Sequence, residues 1–124
     1  MKILIVDDEP DVVAGLARNL QLADFDVATA PDGREAVAKC RNWKPDALLM
    51  DIRMPHLNGM EACREIQREQ PEILVILMTG FSEALDEANQ HIFARACENQ
   101  QVELMMKPID LDEVIALIRS GEMR

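Results

Sequence analysis

Five short apolar runs punctuate this chain. They are Ile3–Val6, a more polar one at Asp26–Thr29 that reads as a short second strand, then Ala47–Met50, Ile73–Met78 and Val102–Met106. Between them the apolar residues recur every three or four positions, the spacing of one helical face. Pro10 suits a first helical turn, where its missing N–H costs nothing, and Val13, Leu16, Ala17 and Leu20 follow as an apolar stripe. Pro31-Asp32-Gly33 is turn chemistry ahead of a second helix over about Arg34–Arg41, with Ala36, Val37 and Cys40 inward. Met60, Cys63, Ile66 and Gln67 predict a third helix ending before Pro71, and Ser82–Asn99 predicts a long fourth with Ala88, Ile92 and Ala96 inward. Asp110 is placed to cap a fifth, carrying Val114, Ile115 and Ile118.

Strand and helix therefore alternate five times. The runs at 47–50 and 73–78 are apolar without alternation, which marks strands buried on both faces of a parallel sheet. Crossovers between parallel strands are right-handed and put helices on both faces. The expectation is one α/β domain of (βα)5 type over residues 1–120, with residues 121–124 a tail or the start of a linker.

Composition narrows the partners. The chain has 124 residues, 13 Lys and Arg against 23 Asp and Glu, and a net charge of −10. That balance argues against direct contact with nucleic acid, whose phosphates require a positive surface. No stretch approaches the ~20 apolar residues of a membrane span, and acids follow the first run too closely for a signal peptide. Cys40, Cys63 and Cys97 show no metal-ligand spacing and read as small buried residues in a reducing cytoplasm.

The chemistry lies at the ends of the runs. Asp7-Asp8 follows the first, Asp51 the third, Thr79 the fourth and Lys107-Pro108 the fifth. In a parallel sheet these all fall at the carboxyl edge, where open α/β sheets build their sites. Three carboxylates suit a hard divalent cation; cation, hydroxyl and amine together suit a phosphoryl group. Each piece also has a plainer reading. Asp7-Asp8 can serve only as an acidic cluster at a helix N-terminus, Lys107 as a solvated lysine and Thr79 as a β-branched strand end. His56 and His91 lack a setting for chemistry, and Trp43 and Met105-Met106 read as packing.

The pieces Ile5-Val6-Asp7-Asp8-Glu9-Pro10, Leu48–Pro55 with Asn58-Gly59, Met78-Thr79-Gly80 and Lys107-Pro108 stand in one order along the whole chain. In these residues the chain resembles the receiver domain of bacterial two-component response regulators. The resemblance implies a flavodoxin-like sandwich with strand order 2-1-3-4-5. It implies Asp51 as phosphoacceptor, and Mg2+ (Mn2+ as alternative) held by Asp8, Asp51 and the Arg53 backbone carbonyl, with Asp7 helping directly or through water. Thr79 and Lys107 would contact the phosphoryl group, with Lys107 turned inward by a cis peptide to Pro108. The implied donor is a sensor histidine kinase or phosphotransfer protein. The implied recipient is the protein's own effector domain or a protein target, with a homodimer on activation also allowed. Such a module is no enzyme beyond its own phosphorylation and dephosphorylation, and it signals through helix four, strand five and helix five.

Two departures stand out. The family places Tyr or Phe three positions before the lysine; this chain has Leu104 there and no Tyr at all. The segment between Thr79 and Lys107 is also several residues longer than the family commonly uses, and Glu98-Asn99-Gln100-Gln101 replaces its short approach to strand five. Three rivals remain. A phosphatase of the haloacid-dehalogenase type wants an acid two residues after its nucleophile, where Arg53 stands. A flavodoxin-like electron carrier wants a hydroxyl- and glycine-rich phosphate loop, where Asp7-Asp8-Glu9-Pro10 stands. A receiver-like docking domain that no longer uses phosphate is kept alive by Leu104.

Overall fold

A computed structural model describes residues 1–51, 59–79, 102–106 and 109–122. The side chains of 59, 60, 79, 104, 106, 121 and 122 are outside that description, and so is the predicted helix over 82–99.

Strands β1 (Lys2–Val6), β2 (Asp26–Ala30), β3 (Ala47–Asp51), β4 (Leu74–Thr79) and β5 (Val102–Met106) form one parallel sheet in the order β2-β1-β3-β4-β5. The described helices are α1 (Pro10–Leu22), α2 (Gly33–Trp43), α3 (Gly59–Glu69) and a C-terminal helix over Leu111–Glu122.

The apolar runs lack polar alternation because both faces of the sheet are covered. Leu4, Val6, Leu48, Met50, Val75 and Leu77 pack toward one layer, with Ala36, Val37 and Cys40 of α2 and Ala62, Cys63 and Ile66 of α3. Their neighbours in sequence, Ile3, Ile5, Ala47, Leu49, Leu74, Ile76 and Met78, pack toward the other, with Leu20, Phe25, Val114 and Ile118. Adjacent side chains on a strand point to opposite faces, so a run buried throughout serves two cores. The stripe Val13, Leu16 and Ala17 lies half-buried against the second.

Where boundaries differ from expectation, a cap or a turn is the cause. α2 begins at Gly33 because Asp32 is its N-cap, its carboxylate accepting from the Glu35 amide at 3.0 Å. It ends at Lys44, which takes a left-handed conformation with φ 51° ahead of Pro45. β4 starts one residue late because the Ile73 amide closes a turn onto the Gln70 carbonyl. The Asp110 cap forms as expected, its carboxylate accepting from the Asp112 amide at 2.9 Å. That helix continues through Gly121 to Glu122, into the stretch expected to be a tail. At the amino edge Lys2 lies over the Trp43 ring at 5.5 Å and donates to its carbonyl, so Trp43 does pack as expected.

One position runs against propensity. Gly15 sits in the middle of α1, where glycine costs ~1 kcal/mol relative to alanine.

Candidate functional site: an acidic pocket at the carboxyl edge

The strand order dictates what meets at the carboxyl edge. β1 and β3 are paired neighbours, with Val6 opposite Met50, so the residues that follow them emerge side by side. Asp7 comes directly after β1. Asp51 is the last residue of β3 and stands opposite Met78 of β4. One carboxylate oxygen each from Asp7, Asp8 and Asp51 lies within 4.8 Å of the others. Among the described residues no other group of His, Cys, Asp or Glu converges in this way.

Burial separates the three. Asp7 is 2% and Asp51 6% exposed, the two buried charged residues among those described, whereas Asp8 is open to solvent. Carboxylates are rarely buried so fully. The backbone explains how Asp7 is held. Its amide donates to the Ala30 carbonyl of β2 at 3.2 Å, and its Oδ1 accepts from the Glu9 amide at 3.0 Å. That second bond turns the chain sharply into α1, whose N-cap is Glu9 with no side-chain cap. The part Asp7 plays at the start of α1 is through the N-cap residue, whose own amide it bonds. The donor set is all oxygen, anionic and convergent, which fits a hard divalent cation of the Mg2+ kind.

The other predicted site residues are only partly placed. Thr79 is the last residue of β4, opposite Met106, so its backbone stands at the same edge as Asp51. Lys107 and Pro108 directly follow β5, but they and Arg53 lie outside the described residues, as do the histidines His56 and His91. Leu104 falls in β5 opposite Leu77, with its side chain outside the description.

Of the cysteines, Cys40 and Cys63 are buried, as expected of packing residues, and Cys97 lies outside the described residues. Burial, and to a lesser degree the nearby Glu69 charge, pushes the Cys40 thiol up to about 12, which leaves it protonated and inert. Away from the pocket, Arg41 bridges α2 to α3 by donating to Glu69 at 2.9 Å. That bond, aided by the Arg41 charge, holds the Glu69 carboxyl below its ordinary value.

Gly15 of α1 carries no motif in the sequence. Its only signal was a glycine inside an otherwise regular helical stripe, beside a cleft that needs the tertiary fold to exist.

Comparison with known proteins agrees with this geometry. The family model described as the response regulator receiver domain matches residues 3–119. Among curated proteins, the alkaline phosphatase synthesis transcriptional regulatory protein PhoP of Bacillus subtilis is 33% identical over 119 residues, covering 96% of this chain and 47% of the relative. The transcriptional regulatory protein LnrK of the same organism is 36% identical over 120 residues, covering 95% and 52%. The chain thus spans about half the length of the curated relatives it matches. Among solved structures, the response regulator domain of Thermotoga maritima CheB superposes with a TM-score of 0.82 at 31% identity, covering 100% of this chain and 97% of that one.

Proposed function

The chain belongs to the response regulator receiver domain family, and from that premise we propose that it accepts a phosphoryl group on Asp51 and passes the change to a partner. One observation carries the reading: Asp7, Asp8 and Asp51 converge within 4.8 Å at the carboxyl edge of a parallel sheet.

The difficulty such a pocket must overcome is electrostatic. Two like charges ~4 Å apart repel by about 4 kcal/mol even at an effective dielectric near 20. Mg2+, or Mn2+ in its place, held by Asp8, Asp51 and the Arg53 carbonyl with help from Asp7, supplies the positive charge that offsets this repulsion. The chain's own groups do the rest. An Asp51 carboxylate oxygen attacks phosphorus of a phosphohistidine. The new P–O bond forms as the P–N bond breaks, and the electron pair leaves with the imidazole, which takes a proton from water. Asp7 is oriented by the Glu9 amide and keeps its carboxylate on the pocket. The Thr79 hydroxyl donates to one phosphoryl oxygen, and the Lys107 ammonium pairs with another. Water later cleaves the acyl phosphate to return the carboxylate and inorganic phosphate.

The donor is a sensor histidine kinase or a phosphotransfer protein in the cytoplasm. The recipient is an effector domain of the same protein or a separate target, and a homodimer on activation is a third outcome. The relatives PhoP and LnrK are named as transcriptional regulators and are about twice as long as this match. A DNA-directed output therefore fits a segment beyond this one, while the −10 charge argues against DNA contact here. Signal would leave through the face expected of helix four, strand five and helix five, of which residues 82–99 lie outside the described residues.

Phosphorylation by acetyl phosphate tests the pocket. It should require Mg2+ and stop in excess chelator, and Asp8→Ala should lower its rate at least about tenfold, the loss of one charge-assisted ligand. Labelling at an unchanged rate in chelator would remove the metal from the account.

A further inference from the structure

Asp51 does not stand alone on its face of the sheet. In register it is opposite Met78, and Met78 is opposite Met105, so these residues form one transverse row over β3, β4 and β5. Neighbouring parallel strands lie about 4.8 Å apart, and partners in register present their side chains to the same face. Met78 and Met105 pack in the core that holds Val114 and Ile118 of the C-terminal helix. Leu49 packs in that core and Met50 in the other, so alternation along β3 turns Asp51 to the face of Met78. Met50, although bonded to Asp51, serves the opposite layer.

The row is built differently from those beneath it. Deeper on this face stand Ile3, Ile5, Ala47, Leu49, Leu74 and Ile76. Isoleucine is held to few rotamers by its branched Cβ, and alanine has none to change. Methionine has several rotatable bonds and a polarisable sulfur, and it refills an altered space at small cost. Met78 is fully buried and Met105 nearly so, so neither serves the surface. On β4 and β5 the methionines of this core therefore sit in the row of the carboxylate whose size and charge change on phosphorylation.

We propose that Met78 and Met105 relay the state of Asp51 along this row to the packing of the C-terminal helix. A phosphoryl group enlarges and charges the side chain beside Met78. Met78 changes rotamer, Met105 refills the space next to it, and Val114 and Ile118 adjust in the same core. Because the core is close-packed, the adjustment is a step between two packings and not a graded deformation. The proposal rests on the reading of Asp51 as acceptor.

The methionine methyl groups report the relay directly. The chain is made with methionine carrying carbon-13 in its methyl group, and each of its eight methionines is assigned by its own Met→Leu exchange. Spectra are compared before and after adding Mg2+ and beryllofluoride, which stands in for the phosphoryl group and is followed by its own fluorine signal. Met78 and Met105 should both shift, and both should shift more than Met50, although Met50 is the nearer along the chain. The methyl groups of Ile118, labelled likewise, should shift with Met105. In Met78→Leu, a volume-conserving exchange, the shift of Met105 should be largely lost. In Met105→Leu, Met78 should respond as before. Bound beryllofluoride with no shift of Met105, or with Met50 shifting as far as Met105, overturns the proposal. So does an undiminished Met105 shift in Met78→Leu, since the change then reaches β5 by another path. A fluorine signal that shows no binding, with no labelling of Asp51 by acetyl phosphate, strikes the reading of Asp51 as acceptor, and the proposal falls with it.

Discussion

Asp51 ends a strand in which every residue is buried, and Asp7 is more enclosed still. A carboxylate taken from water costs several kcal/mol unless something compensates it, so burial of these two is not by itself a source of stability. The stability comes from residues such as Leu77, fully buried in β4 against the α2–α3 layer. Leu77→Ala should lower unfolding free energy by about 2–5 kcal/mol in denaturant titration, the cost of a core cavity; a loss below about 1 kcal/mol would mean the β4 core is not packed as described. At this scale the acids were legible because each follows or ends an apolar run. The left-handed Asp24 (φ 71°) and Lys44 were not. Both end helices, but neither is the glycine or asparagine that usually announces such a cap.

At the scale of elements, every described strand and helix was visible in the sequence, and the errors were boundary errors of one or two residues. Asp32 shows why. As part of Pro31-Asp32-Gly33 it reads as a turn, yet its carboxylate accepts from the Glu35 amide and starts α2 at Gly33. Turn and cap chemistry use the same residues, and only the backbone distinguishes them. The elements also bear on output. Thr79 ends β4, and Lys107 follows β5, its paired neighbour. If both hold the phosphoryl group, they draw on the two ends of the segment between them. With Leu104 where the family has an aromatic ring, the change has to travel through backbone and aliphatic repacking, as a shift between two packings of one fold. Amide exchange on adding beryllofluoride, a phosphoryl mimic, should therefore change within residues 79–107. Changes confined to the stretch just after Asp51 would point to a different output face.

For the whole molecule, alternation of strand and helix implied a parallel sheet covered on both faces, and the two cores are that arrangement. Alternation did not imply the order β2-β1-β3-β4-β5; that expectation came from resemblance, and the strand pairing bears it out. The order matters most for function, because it makes β1 and β3 neighbours and so brings Asp7 and Asp8 to Asp51 across more than forty residues of chain. Pattern along a chain carries local structure, whereas the meeting of distant strand ends depends on how loops cross, which periodicity does not encode.

The measurement closest to the central claim is the site of phosphorylation itself. The chain is incubated with Mg2+ and acetyl phosphate, the acyl phosphate is trapped by borohydride reduction, and the altered residue is located by peptide mass spectrometry, alongside Asp51→Asn. The account predicts one modified residue, Asp51, and no labelling of Asp51→Asn. Labelling of Asp51→Asn at the unaltered rate, or modification mapped to Asp7, Asp8 or any other residue in the unaltered chain, would contradict it.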